Sequence, residues 1–381
     1  MPTPTPLQTP MRVLEAGRGL GVAACCLHLV ALGADVVQLA LDDRRLPGAE
    51  RAYYDRGRTV VPVAAGPALA RAAEVLVTDL SPAELAAAGL PADEAALAGL
   101  GGLGGADDGG AEGEGGGDQP PVLVSILPLG RTGPSASLRM TDITEWAAGG
   151  LATVTRRPYY YEDDDERCTP VLPPGHQSEA LAGLAAASGT FAGRRLARRT
   201  GAPVVVDVSV QEVTAATLHS TVPNFVFGQH LLGHPGVPTT ALGMTLPAAD
   251  GDIYLRVVEA HQWQRLVDWL GDPEWFFLGE HPADRVTNRL ALQALFGERT
   301  APQLAADLVA EGQRRKVPVT IPRSLAEVLE WQQLQARGVW VDVDGPDGPA
   351  RAPRLPMVEP AAWRPTVAAT AAEVADRWDR Q

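Results

Sequence analysis

Residues Gly175 to Arg199 read GHQSEALAGLAAASGTFAGRRLARR. A polar turn opens the stretch, one acid stands at Glu179, and the chain then runs small and apolar to a basic end. This composition predicts a long helix. Ala182, Gly183, Ala186, Ala187, Gly189 and Ala192 allow close approach to another backbone, while Arg194, Arg195, Arg198 and Arg199 complement the negative end of the helix dipole. Gly201 stops the helix, and the apolar run VVVDV (204–208) predicts a buried strand after it. Two readings of Glu179 stand. It is either a reactive carboxylate at the tip of a tightly packed helix, or an ordinary first-turn acid favoured by the dipole.

Upstream, Met11–Ala16 (MRVLEA) predicts a strand, Gly17, Gly19 and Gly21 a glycine-rich turn, Leu20–Leu32 a helix ending at Gly33, and Asp35–Leu41 a second strand. A strand–turn–helix–strand unit is the signature of a parallel α/β sheet. The glycine spacing is G-x-G-x-G, and Ala40 and Leu41 stand where a ribose-binding acid would close the second strand, so dinucleotide binding is not supported. Thr59–Val63, Glu74–Val77 and Val122–Leu127 predict further strands, and Gln211–Phe227 a long helix. Residues 100–118 are glycine and acid with no apolar surface to bury, which predicts a flexible insertion. Tyr159–Glu166 (YYYEDDDE) reads as a solvated loop or a gate over a pocket.

The texture changes after the Gly/Pro-rich stretch Gly228–Pro238, which reads as a linker. Asp250-Gly251 predicts a hairpin, followed by helices over Glu259–Leu270, Arg285–Phe296 and Ala301–Ala310. Val317–Thr320 and Val339–Val343 return to strand. The expected organisation is a large domain over 1–227, a smaller α+β domain with its linker over 228–330, and a return of 331–381 to the large domain.

The chain has 381 residues, 45% hydrophobic and 20% charged, which is the composition of a globular protein. A net charge of -14 argues against a general nucleic-acid binder and requires any anionic substrate to be held by local cations. The three cysteines are Cys25, Cys26 and Cys168; the first two sit in an apolar run and read as packing residues, and no C-x-x-C pair suggests a zinc or redox site. MPTPTPLQTP lacks the charged and apolar segments of a signal peptide, and no apolar run reaches the ~18 residues of a membrane span. The expectation is a cytoplasmic protein.

Taken in order, several stretches resemble the family III CoA-transferases, the group typified by formyl-CoA transferase and the carnitine CoA-transferases. They are RVLEAGRGLGVAACCLHLVALGADVVQL (12–39), DRGRTVVPV (55–63), EVLVTDLSPAELAAAGL (74–90), LGRTGPSASLRMTDITEWAAGGL (129–151), the central helix, RRKVPVTIPRSLAEVLEWQQLQARGVWVDV (314–343) and PAAWRP (360–365). The resemblance implies an α/β fold: a Rossmann-like large domain built from both chain ends, a smaller α+β domain, and two subunits interlocked as a homodimer. It implies coenzyme A as a substrate, a small-molecule acyl partner, and no permanently bound cofactor or metal.

In that family an aspartate at the start of the central helix takes the acyl group as a mixed anhydride. Glu179, four residues before Gly183, stands there in this chain. A glutamate offers the same nucleophile one methylene further out. Arg58 matches a CoA-contacting cation. Asp79 and Leu80 match a CoA-contacting turn in which relatives carry asparagine. Ala40, Leu41, Ala87 and Leu127 stand where relatives have charged or basic residues, with Arg18, Arg44, Arg45, Arg56 and Arg131 as replacement cations. Gly19–Val22 and Gly130–Gly133 would be close backbone approaches to the ligand. The racemase branch pairs a histidine with the acid matching Asp142, but the histidine position is Thr141, so two-base racemisation is not supported. His176 reads as a local acid or base for Glu179, or as a turn histidine facing solvent. Three functions therefore stand: a CoA-transferase using Glu179, a member repurposed to a lyase, dehydration or cyclisation step without CoA, and a non-catalytic subunit.

Overall fold

The computed structural model describes residues 10–43, 46, 48–100, 119–155, 172–219, 221–228, 242–345, 348–355 and 366–380. Arg44, Arg45, Cys168, the acidic glycine stretch beyond residue 100, Tyr159–Glu166, the linker beyond Gly228 and PAAWRP lie outside the described residues. The chain divides into two compact units. One comprises 1–155, 169–219 and 338–381, and the other 156–168 and 220–337.

The larger unit holds β1 (Arg12–Ala16), β2 (Asp35–Leu39), β3 (Thr59–Val61), β4 (Val75–Thr78), β5 (Val122–Leu127) and β6 (Val204–Ser209). The smaller holds β7 (Leu242–Ala248), β8 (Gly251–Val257) and β9 (Val319–Thr320). The last three strands, β10 (Trp340–Gly345), β11 (Gly348–Pro353) and β12 (Val367–Ala368), belong again to the larger unit. Its sheet has the order β12-β3-β2-β1-β4-β5-β6, and all neighbouring pairs are parallel. Parallel strands are covered on both faces, which is why RVLEA, DVVQL, VLVT and VLVSIL read as nearly continuous apolar runs. The chain leaves β1 for β2 on one side and comes back to β4 on the other. The carboxyl ends of β1 and β4 therefore flank the point where the winding reverses, the usual place for a ligand crevice in such sheets.

The Leu20–Ala31 helix is buried along nearly its whole length, including Cys25 and Cys26, and packs against the Gln177–Thr200 helix. Gly183 sits at the closest point. A Cβ built there would lie 2.6 Å from Ala24 Cβ, 2.7 Å from the Gly21 carbonyl oxygen and 2.9 Å from the Cys25 nitrogen. Further along, a Cβ on Gly193 would stand 2.7 Å from Val206 Cγ2, so the small residues press the helix onto β6 as well. The carboxyl-terminal Ala371–Trp378 helix closes the unit: Val374 and Trp378 are fully buried, and Trp378 Nε1 donates to Asp35 Oδ2 at 2.9 Å.

In the smaller unit β7, β8 and β9 form an antiparallel sheet around Trp263, Leu266, Phe296 and Leu308, with Asp250-Gly251 at the hairpin turn. Gly251 has φ 150°, a value that suits glycine.

Three expected elements are corrected. Gln211–Phe227 is two helices, Val210–Ala216 and Thr221–Gly228, because Pro223 lacks an N–H and is tolerated only in a first turn. Arg285–Phe296 is also divided, at Asn288, into Pro282–Thr287 and Arg289–Thr300; the Asn288 side chain donates to the Leu278 carbonyl at 2.8 Å. The third strand stops at Val61, since Pro62 cannot continue the ladder, and Val63–Ala65 turns as a 3-10 helix.

Candidate functional site

A cavity of about 490 Å³ opens at the carboxyl ends of β1 and β4 in the larger unit. Arg18 and Gly19 reach it from the turn after β1, Asp79 and Glu84 from the segment after β4, Arg131 from the loop after β5, and Glu179 from the central helix. Val22, Ile126, Leu138 and Met140 supply apolar wall.

Glu179 lies in the first turn of the Gln177–Thr200 helix with its side chain 24% exposed. Gly175 (φ 91°) and the helix N-cap His176 (φ 50°) both adopt left-handed backbone, so the chain makes a tight corner into the helix. That corner places the His176 ring among acids from three elements. Its Nε2 is 3.5 Å from Glu50 Oε1, and its Nδ1 is 3.8 Å from both Asp142 Oδ2 and Glu179 Oε2. Below it the fully buried Ser178 hydroxyl donates to Asp142 Oδ1 in a short contact and lies 3.4 Å from Glu145 Oε2. Glu145 also lines the cavity. Burial first, then the charges of Tyr53, Glu50 and Glu179, push the Tyr54 hydroxyl up to about 12.

The opposite wall is organised by internal ion pairs. Asp79 accepts hydrogen bonds from the backbone N–H groups of Arg18 (2.9 Å) and Gly19 (2.7 Å). The Arg18 guanidinium reaches Asp43 at 2.6 Å and Glu84 at 3.2 Å, and Arg139 also reaches Glu84 at 3.2 Å. Glu84 is held below the usual carboxylate range, chiefly by the Ser81 backbone N–H in a capping box. Arg131 donates its backbone N–H to Asp207 and its guanidinium to the Ala92 carbonyl.

The residues expected from sequence separate accordingly. Arg18, Gly19, Asp79, Arg131 and Glu179 line the cavity, His176 adjoins Glu179, and Asp142 adjoins His176 and Ser178. Arg56, Arg58, Leu80 and Gly130 do not line it. Arg58 is 1% exposed and locked to Asp55 (2.6 Å), Glu15 (3.0 Å) and the Ala23 carbonyl (2.5 Å). Arg56 stacks over the Tyr53 ring, its Cζ 4.0 Å from the ring centroid, and burial draws it down to about 10. Leu80 is core, and Gly130 is the left-handed corner (φ 79°) beside Asp207. Sequence reasoning passed over Glu84, Glu145 and Ser178. The S-P-A-E capping-box pattern at 81–84 was the available signal for Glu84. Among the described residues no group of three or more His, Cys, Asp or Glu is arranged to hold a metal, and no helix is long and apolar enough to cross a membrane.

Comparison with known proteins decides the family. CoA-transferase family III matches residues 120–371. The chain belongs to CoA-transferase family III. Among family III relatives, the chain is similar to a probable CoA-transferase of Mycobacterium tuberculosis, with 27% identity over 58% of this chain and 28% of that protein. It is similar to the succinate–glutarate CoA-transferase of Agrobacterium fabrum (25% identity, 60% of this chain, 56% of that protein). It also matches the BbsE subunit of the succinyl-CoA:(R)-benzylsuccinate CoA-transferase of Thauera aromatica, at 28% identity. The match spans between 28% and 56% of the lengths of these curated relatives. The fold is that of a crystallised CAIB/BAIF family protein from Brucella suis, with TM-score 0.72, 21% identity and coverage of 97% of this chain and 98% of that one. A crystallised hypothetical protein from Mycobacterium tuberculosis gives TM-score 0.74 at 17% identity, covering 98% and 99%.

Proposed function

We propose that the protein exchanges CoA between an acyl-CoA and a carboxylic acid, with Glu179 as the covalent carrier. The observation that carries this reading is the position of Glu179: a partly exposed carboxylate on the wall of the cavity, in the first turn of the helix, against the Gly19 backbone. The Glu179 carboxylate attacks the acyl carbonyl, the carbon–sulfur bond breaks, and CoA departs as thiolate, leaving a mixed anhydride. The thiolate attacks the Glu179 carbonyl carbon, and the first acid leaves as carboxylate. The acceptor carboxylate then attacks the glutamyl thioester, releasing thiolate and forming a second anhydride. Thiolate attack on the acceptor acyl carbon returns free Glu179 and the new acyl-CoA, with no net proton change. The positive end of the helix supports negative charge developing at this tip. The resemblance further suggests that two copies act together as a homodimer, which light scattering tests.

A second reading is favoured by one observation. Arg18 and Arg139 are already engaged by Asp43 and Glu84, and Arg58 is buried among acids, so these cations are committed before any phosphate arrives. On that reading the family scaffold no longer moves CoA, and Glu179 with His176 carries protons on another small molecule. Exchange of labelled CoA across a panel of acyl-CoA and acid pairs separates the two. Exchange by the wild type that is lost in Glu179→Gln supports transfer. Exchange at the wild-type rate in that variant ends the covalent role.

A further inference from the structure

Three arginines line the cavity, and they are held differently. Arg18 pairs with Asp43 and Glu84, and Arg139 pairs with Glu84. The Arg131 guanidinium meets a neutral group instead: its Nη2 donates to the Ala92 carbonyl. Asp207 takes the Arg131 backbone N–H, at 3.0 and 3.1 Å, and not the side chain. The Nη1 atom is shielded from solvent and has no hydrogen-bond partner among the described residues. That donor has lost its water without gaining an acceptor, a state that buried N–H groups rarely keep. The position is also fixed at both ends. Gly130 turns the chain with φ 79°, Asp207 on β6 holds the N–H that follows, and Ala92 holds Nη2. A guanidinium held in this way has little side-chain freedom left to lose when an anion binds.

We propose that Arg131 is the anion-binding residue of the cavity, taking a phosphate or a non-reacting carboxylate of the ligand on Nη1. The inference rests on the cavity being the ligand site, as in the reading above. The reacting carboxyl group belongs at Glu179, so the anion at Arg131 is a second one. It is either a phosphate of CoA or the far carboxylate of a dicarboxylic acid, and both offer anionic oxygens to a guanidinium. Arg18 and Arg139 already answer the charge of Glu84, so neither is a comparable uncompensated cation.

Calorimetric titration with CoA tests the first source. Steady-state CoA exchange tests the second, with the dicarboxylates from malonate to adipate set against monocarboxylates of the same length. Arg131→Gln removes the charge and the fork, and Arg131→Lys keeps the charge alone. Arg71→Gln removes one exposed cation that does not line the cavity, as a control for net charge. Arg131→Gln is expected to weaken CoA binding, or to raise KM for the dicarboxylates, about tenfold or more. In either case kcat stays within about threefold, and Arg131→Lys recovers only part of the loss. A loss confined to CoA assigns the phosphate, and a loss confined to dicarboxylates assigns the far carboxylate. If Arg131→Gln proves unfolded by circular dichroism, Arg131→Lys decides, with a loss of about threefold expected. Unchanged constants for both ligands, an equal loss in Arg71→Gln, a fall in kcat alone, or no binding by the wild type overturns the proposal. CoA binding weakened in Arg131→Gln, in a protein that exchanges nothing, would keep this inference and remove the transferase reading. Exchange by Arg131→Gln with wild-type constants would do the reverse.

Discussion

Glu179 lies against Gly19, so closely that a methyl group on Gly19 would stand 3.3 Å from Glu179 Oε1. Asp79 Oδ2 would stand 3.0 Å from the same methyl group. The backbone at Gly19 has φ -89°, which any residue adopts, and both neighbours are the ends of flexible side chains. Gly19→Ala is therefore expected to fold, with stability changed by less than about 1 kcal/mol in urea denaturation. By displacing both carboxylates it should lower kcat/KM for CoA exchange roughly tenfold or more.

Gly183 behaves differently, because its neighbours include main chain that cannot give way. The Gly21 oxygen and Cys25 nitrogen would lie 2.7 and 2.9 Å from an added Cβ. Gly183→Ala is expected to destabilise the protein by about 2 kcal/mol, exceeding the gain in helix propensity, as read by the urea midpoint at constant m.

Arg58 tests the difference between a ligand contact and a buried structural ion. Removing it takes the guanidinium from Glu15, fully buried, which keeps the Gln38 amide at 3.0 Å, and from Asp55, 4% exposed, which keeps Arg51 at 3.5 Å. Arg58→Ala is expected to cost about 3–5 kcal/mol in urea denaturation. Loss of CoA binding in a variant of unchanged stability would instead place Arg58 at the ligand.

Tyr54 reports the charge of Glu179 without any substrate. Its folded value is raised from 10.0 to about 12, so the folded state holds the phenol proton more tightly than the unfolded chain. The linked stability is fully present below pH 10.0, the unfolded value, and is lost as the pH rises toward about 12. In a phenolate absorbance titration, the component missing from Tyr54→Phe should ionise near the top of that window. Glu179→Gln should move it downward, since an adjacent negative charge is removed. An unmoved titration would mean that Glu179 does not face Tyr54 as a carboxylate.

Much of this arrangement is legible in the sequence. The buried parallel strands announce themselves as apolar runs separated by turns, and the small-residue stripe of the central helix predicts its close approach to a neighbour. Glu179 is readable as an acid at that helix tip. The pairings between distant segments are not readable. Arg58 reads as a CoA-contacting cation until Glu15, 43 residues upstream, is seen to be its partner. Asp79 reads as an unwelcome negative charge near phosphates, whereas in the fold it caps a helix that cannot cap itself. The break near Pro223 is available from proline chemistry alone, because a helix interior does not tolerate the missing N–H.

The central claim is that Glu179 carries the transferred group. Incubating the protein with an acyl-CoA it exchanges, quenching with hydroxylamine and mapping peptides by mass spectrometry tests it most directly, because an anhydride or thioester on the side chain is captured as a hydroxamate. The account predicts a hydroxamate on Glu179 that depends on acyl-CoA and is absent from Glu179→Gln. Continued turnover with Glu179 recovered unmodified, or the adduct on another residue, would contradict it.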